Sequence, residues 1–395
     1  MKSNSLPAAI LALVLLVSCH SKKPTVTDYP VLRMKSTPVL DMGKYVESVR
    51  YIQLENHPES AFIEISRVLV SGERLFMLDT RMNAVFCFDT SGAFRYRIFR
   101  IGRGPGEYQE LNSIFLDPVK GELGLHCYYP GKILYFSLDG KFLREHKNQP
   151  EVREMVRLGN GDLLGFCSWF GTVGEKEIRP GMHLYRPDGS HRGQIWTKND
   201  STTYWSVMHY RFIEESEGGA EILMQSDTVW KVDPQGNLKI GFCLDWGERT
   251  MPLENRRFYR YSPGKPDLMA STSIATVDQL ISIGSLRFFQ LYTDHHMEFA
   301  VGDLKTGDGI FSTQVNSTTH PVPLIYPIGK SDRNELIGII DMNTLYALTE
   351  MEIKDPEGIG NTDLLNQLSR ITEKAIREDR PLVWFAEIKN DYLTH

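Results

Sequence analysis

A repeat constrains this chain more than any other feature. Four segments share one grammar: FCFDTSGAFRYRIF, LYFSLDGKFLREH, HLYRPDGSHRGQI and VWKVDPQGNLKIGF. Each is a strand-like run, a polar turn with glycine, and a second strand-like run. The turn glycines Gly92, Gly140, Gly189 and Gly236 fall at intervals of 48, 49 and 47 residues. Upstream of each turn lies another pair of candidate strands, so that ISRVLVSG, ERLFMLD, AVFCFD and FRYRIF make up the first period. Short runs rich in Val, Ile, Phe and Tyr, closed by Asp-Gly-type turns, predict antiparallel meanders. One four-stranded sheet cannot bury both of its faces, whereas copies stacked around an axis can. A period near 48 residues with four strands is that of a β-propeller.

The later chain keeps the pattern less regularly. LMASTSIATV, QLISIG, LRFFQLYT and MEFAVGDL, within 268–304, are expected to make a fifth blade. VPLIYPIG and ELIGIIDM are expected to supply inner strands of a sixth. VESVRYIQLE (46–55) and RPLVWFAEIK (380–389) are left over as lone strands, one near each end. Both are satisfied if they complete the last blade together, which removes exposed sheet edges. Residues 362–379 read as one helix, with Leu364, Leu368, Ile371 and Ala375 at helical spacing and Thr362 as N-cap. The expectation is therefore an all-β, six-bladed β-propeller over 45–395, with N- and C-terminal strands closing the last blade and one C-terminal helix.

The chain opens MKSNSLPAAILALVLLVSCHSKK. A short positive start at Lys2 and an apolar run from Ala8 to Val17 form the anatomy of a secretory signal. That run is below the roughly 18–20 residues needed to cross a bilayer. Leu16, Val17 and Ser18 before Cys19 resemble the lipobox of bacterial lipoproteins. The resemblance implies a signal peptide over 1–18 and lipidation at Cys19. It also implies a lipid-anchored place in the cell envelope, at the outer membrane, with membrane contact through that lipid only. Residues 19–44, polar and Pro-interrupted, read as a tether. A formal charge of −6 gives no electrostatic case for nucleic acid. The other cysteines, Cys87, Cys127, Cys167 and Cys243, sit in apolar strand-like runs without CxxC spacing and are expected to be free and buried.

The stretch IGRGPGEYQELNSIFLD (101–117) looks at first like a phosphate-cradling loop. A nucleotide fingerprint needs a helix after its glycines, and EYQELNSIFLDP has β character. The segment is read instead as a blade connector, with Tyr108 plugged between neighbours. It resembles the join of NHL-repeat proteins, G-x-G-x-G-x-[FY]-x-x-P-x-x-[IV], through Gly102, Gly104, Gly106, Tyr108, Ile114 and Asp117, without the usual proline. The GRGPGEY wording is more similar to the six-bladed β-propeller lipoproteins of Bacteroidetes. Val49 to Glu55, Leu75 to Asp79 and Asp379 to Leu382 match further signatures of that family. The resemblance implies the fold and no activity.

Candidate chemistry is sparse. His295 and His296 are neighbours, and adjacent strand residues face opposite ways, so no metal and no cofactor are expected. No GxSxG elbow is present, and no catalytic residue is assigned. Two long connections are the candidate recognition elements. One carries Arg256, Arg257, Phe258, Tyr259, Arg260 and Tyr261, and the other carries Trp169 and Phe170. Arginine and aromatic rings suit binding surfaces. The expected function is non-catalytic binding of an envelope protein, polysaccharide or peptide. The alternatives are a glycan-active lyase or hydrolase with its site at the central channel, and a structural component of an outer-membrane complex.

Overall fold

The computed structural model describes residues 29–129, 131–147, 152–167, 171–173, 176–197, 213–223, 227–250, 276–292, 297–319, 327–347 and 362–393. Three strands lead: β1 (Val31–Ser36), β2 (Leu40–Asp41) and β3 (Val46–Gln53). The first meander is β4 (Arg67–Ser71), β5 (Arg74–Asp79), β6 (Ala84–Asp89) and β7 (Phe94–Ile98). The second is β8 (Glu110–Asp117), β9 (Glu122–Tyr129), β10 (Lys132–Ser137) and β11 (Phe142–Lys147). The third runs through β12 (Val152–Arg157) and β13 (Leu163–Cys167). A small hairpin of β14 (Gly171–Val173) and β15 (Lys176–Ile178) follows, and then β16 (Gly181–Tyr185) and β17 (His191–Thr197).

The fourth meander is β18 (Ile213–Ser216), β19 (Gly219–Leu223), β20 (Thr228–Val232) and β21 (Leu238–Asp245). The fifth is β22 (Thr276–Ile283), β23 (Leu286–Tyr292), β24 (Met297–Asp303) and β25 (Asp308–Ser312). After β26 (Val315–Asn316) come β27 (Pro327–Lys330), β28 (Glu335–Ile340), a helical run at 342–347 beyond the one helix expected, helix α1 (Thr362–Arg377) and β29 (Leu382–Ile388). These last strands pair in the order β27, β28, β29, β3, so strands from near the two ends of the chain lie side by side.

The architecture is all-β and propeller-like. The first strands of the meanders contact one another in the cycle β4, β8, β12, β18, β22, β27 and back to β4. Core clusters lie between meanders rather than within them. Phe76, Leu78 and Val85 pack on Leu111, Leu125 and Phe136, and Val156, Phe166 and Met182 pack on Ile213, Ile222 and Val232. Middle strands are therefore covered on both faces and read as continuous apolar runs, LFMLD and AVFCF, instead of alternating. The fourth strands of the first two meanders form the rim and carry Arg95, Arg97, Arg144 and Lys147, charges that keep an open edge from pairing with another chain.

The repeat is visible in its hydrogen bonds. In each of the four turns one backbone N–H closes the same loop by donating to the carbonyl four residues on: Asp89 to Ala93, Ser137 to Lys141, Arg186 to Ser190, and Asp233 to Asn237. Each turn glycine donates three residues back, from Gly92 to Asp89, Gly140 to Ser137, Gly189 to Arg186 and Gly236 to Asp233. Gly92 has φ +91°, and a Cβ there would lie 2.1 Å from the Gln53 carbonyl oxygen. Handedness and the close approach of β3 both require glycine at that position.

Three expectations need correction. Residues 31–44, assigned to the tether, are built into the fold. β1 runs parallel to both β21 and β25 and joins the fourth and fifth meanders into one nine-stranded sheet, and β2 pairs with β26. In the fifth meander, Thr276–Ile283 form one strand, β22, where two were expected, and the outer strand is β25, beyond the expected boundary at 304. The break in the sequence pattern is a bulge at Gln279, whose φ is +38°. The cysteines are free, but only Cys87, Cys127 and Cys167 are buried. Cys243 lies on the rim strand β21 and is partly exposed. Helix α1 packs Ile371 and Ala375 against Tyr51, Trp384 and Leu382, and the side chains of Leu364 and Leu368, the other two positions of the expected face, lie outside those described.

Candidate binding site

The inner strands carry charged residues where most of their neighbours are apolar. Arg67 begins β4, Glu154 is inside β12, Glu214 and Glu215 are inside β18, and Lys330 ends β27. A buried charge is tolerated only when paired and hydrogen-bonded. The Arg67 guanidinium, 3% exposed, lies 3.4 Å from Glu154 and 3.9 Å from Glu215. Its partners belong to the third and fourth meanders, so the side chain reaches past the second. Lys330 pairs with the fully buried Glu214 at 2.8 Å and donates to the carbonyls of Glu215 (2.6 Å) and Ser282 (2.9 Å). Glu154 also accepts from the Ile213 N–H at 3.1 Å. Ser113 on β8 exchanges hydrogen bonds with the backbone of Met155 on β12.

A second knot lies between the fourth and fifth meanders. Arg287 grips Glu221 with two bonds of 2.7 Å, and the Ser282 hydroxyl donates to the same carboxylate at 2.7 Å. Both ionic side chains are nearly inaccessible. The first cluster reaches solvent at Glu215 and Lys330, whose side chains are 36% and 25% exposed. The partly exposed Glu215 carboxylate can accept a hydrogen bond from a polar ligand, whereas the three Lys330 donors are taken by Glu214 and by the Glu215 and Ser282 carbonyls. Among the described residues no group of three His, Cys, Asp or Glu side chains is arranged to hold a metal ion.

None of these axial residues is signalled by a motif. The available signal was a charge inside an otherwise apolar first strand, as in SRVLV, VREMV and PIGK. The residues expected from sequence fall elsewhere. Arg256, Arg257, Phe258, Tyr259, Arg260, Tyr261, Trp169, Phe170, Cys19, His295 and His296 all lie outside the described residues. What is described is where their connections begin and end. The connection 246–275 starts from a pinned base: the buried Trp246 donates to Asp227 at 2.9 Å, and Arg249 grips Glu298 with two bonds of 3.0 Å. The connection 168–180 leaves β13 and returns at β16, with the β14–β15 hairpin inside it.

Strand direction puts the described ends of these two connections at the same end of the fold. In an antiparallel meander the first-to-second and third-to-fourth turns lie at one end, and all other connections lie at the opposite end. The first group is short throughout, its longest members being 158–162, 186–190 and 233–237. The second group contains 99–109, 168–180, 198–212, 246–275, 313–326 and 341–381.

The GRGPGEY segment is a joint. Tyr108 is fully buried, and its hydroxyl donates to the carbonyls of Asn83 (2.9 Å) and Ile98 (3.1 Å). The N–H groups that a phosphate would use are occupied. Gly104 donates to Glu107 at 2.8 Å and Gly106 donates to Glu145 at 3.0 Å. Burial alone would raise the Glu145 carboxyl. The Gly106 N–H and the Lys147 and Lys132 ammonium groups outweigh it and hold the group at about 2.

Comparison with known proteins gives a fold and a family. A Bacteroides fragilis protein described as exported superposes with a TM-score of 0.72 at 18% identity, over 91% of this chain and 100% of that one. The WD40 repeats of RRP9 align with a TM-score of 0.45 at 11% identity, over 86% of this chain and 97% of theirs. A DUF4221-family protein of Bacteroides vulgatus aligns with a TM-score of 0.38 at 10% identity, over 65% and 82%. No curated protein matches in sequence, and no helix among the described residues is long and apolar enough to cross a membrane. The domain of unknown function DUF4934 matches residues 27–376, and the chain belongs to that family.

Proposed function

We propose that this protein is a non-catalytic binding protein of the cell envelope, a rigid ring that holds a partner protein, polysaccharide or peptide with the connections at one end. The asymmetry of those connections carries the reading: tight turns at one end, and at the other every long segment, including both with the expected arginine and aromatic clusters. Long insertions in a repeat fold gather on its working face. The cycle of inner-strand contacts supports six blades, and the pairing of β3 with β29 supports closure of the last blade by N- and C-terminal strands. The lipobox-like Cys19 supports a lipid anchor, and the likeness to an exported Bacteroides fragilis protein agrees with an envelope address. The axial ion pairs weigh against the alternative of a glycan-active enzyme, because those carboxylates are engaged in holding meanders together.

Capture from native envelopes tests the reading. The full chain is expected to retain a protein or glycan that the Arg256→Ala, Arg257→Ala, Arg260→Ala triple variant releases, with labelled fatty acid incorporated unless Cys19 is replaced by Ser. Equal capture by the triple variant, or glycan cleavage by the full chain, sinks it.

A further inference from the structure

A cleft of about 480 Å³ lies on the flank of the ring, where α1, β3 and the turn between β6 and β7 meet. Its lining combines three kinds of group. Lys374 on α1 and Arg380 just beyond it bring positive charge. Thr90, Ser91 and Gln53 bring hydrogen-bonding groups, and Ile371 and Leu382 give an apolar floor. Lys374 is exposed and makes no ion pair among the described residues. Arg380 is 3.6 Å from Glu378, so the three ionic groups sum to one positive charge. This sits in a chain whose formal charge is −6.

We infer that this cleft is a binding site for a small organic monoanion, a carboxylate or sulfate carried on a hydroxylated ring with one apolar face, of the size of a hexuronic acid. The volume lies in the range of small-molecule sites. Lys374 and Arg380 meet the acidic group, Thr90 and Gln53 meet hydroxyls, and Ile371 and Leu382 pack on the apolar face. A single net positive charge suits a monoanion better than a dianionic phosphate. The inference does not depend on the proposed function.

Titration calorimetry of the purified full chain at low salt, with D-glucuronate, D-glucose and inorganic phosphate as probes, tests the inference. Glucuronate is expected to bind at least about tenfold more tightly than either of the others. Lys374→Gln is expected to weaken glucuronate about tenfold. Thr90→Val, which removes a hydroxyl of the lining and keeps the side chain's shape, is expected to weaken binding without lowering the thermal midpoint. Phosphate binding as tight as glucuronate, glucose binding as tight, unchanged affinity in Lys374→Gln, or no binding of glucuronate at millimolar concentration would each overturn it.

Discussion

At one end of the propeller-like fold the chain reverses in turns such as 90–93, 138–141 and 233–237. At the other it passes through 168–180, 246–275 and 341–381 before pairing again. The same strands serve both ends, so strand packing does not set the difference. The tight turns are locked by neighbours. Gly92 abuts the Gln53 carbonyl, Gly140 abuts the Tyr96 ring, and Gly236 abuts Leu184. A residue inserted there would strike the preceding meander. The other end tolerates length, because a long loop adds closure entropy only slowly. On the proposed function, scaffold and recognition are thereby separated within one fold.

Four perturbations sharpen that contrast, from the largest effect on stability to the smallest. Tyr108→Ala empties a fully buried joint between the first two meanders and is expected to cost about 3–5 kcal/mol in urea unfolding. A cost below about 1 kcal/mol would mean that the joint is dispensable. Gly92→Ala forces a left-handed residue against backbone and is expected to cost about 2–3 kcal/mol, whereas Gly72→Ala, also at positive φ but with open space around it, costs about 1 kcal/mol. Equal costs would remove neighbour contact as the reason for the short turns.

The third perturbation is acid. The Glu145 carboxyl is held at about 2 in the fold, below the roughly 4.3 of an unfolded chain. Its contribution is therefore fully present above the unfolded value and is lost as pH falls from there through about 2. Comparing the full chain with Glu145→Gln across that window should reveal about 1 kcal/mol of extra acid sensitivity, given solvent screening. Parallel curves would contradict the assignment. The smallest effect on stability belongs to the loops: replacing Arg256, Arg257 and Arg260 by Ala together is expected to move stability by less than about 0.5 kcal/mol while abolishing capture.

The locked end was also the legible one. A turn such as DTSG or DPQG needs glycine for its own geometry, so local sequence reports it, and the strands of the first four meanders follow from those turns. Strand β1 was hidden for the opposite reason. LRMK alternates, but its partners β21 and β25 lie more than two hundred residues away, and nothing local marks a strand that enters parallel between two distant edges. The bulge at Gln279 similarly broke a periodicity that relied on strict alternation. The axial cluster was invisible because Arg67, Glu154, Glu214 and Lys330 are isolated charges until the ring brings them together. Composition can show that acids and bases are available; only topology shows which of them meet.

Site-resolved photo-crosslinking in native envelopes tests the separation of scaffold from recognition most directly. A photoreactive residue is placed in turn at 170 and 258, in the long connections, and at 139 and 235, in the tight turns. The account predicts one shared adduct from positions 170 and 258 and none from 139 and 235. Adducts arising equally from both ends, or only from the tight-turn end, would contradict it.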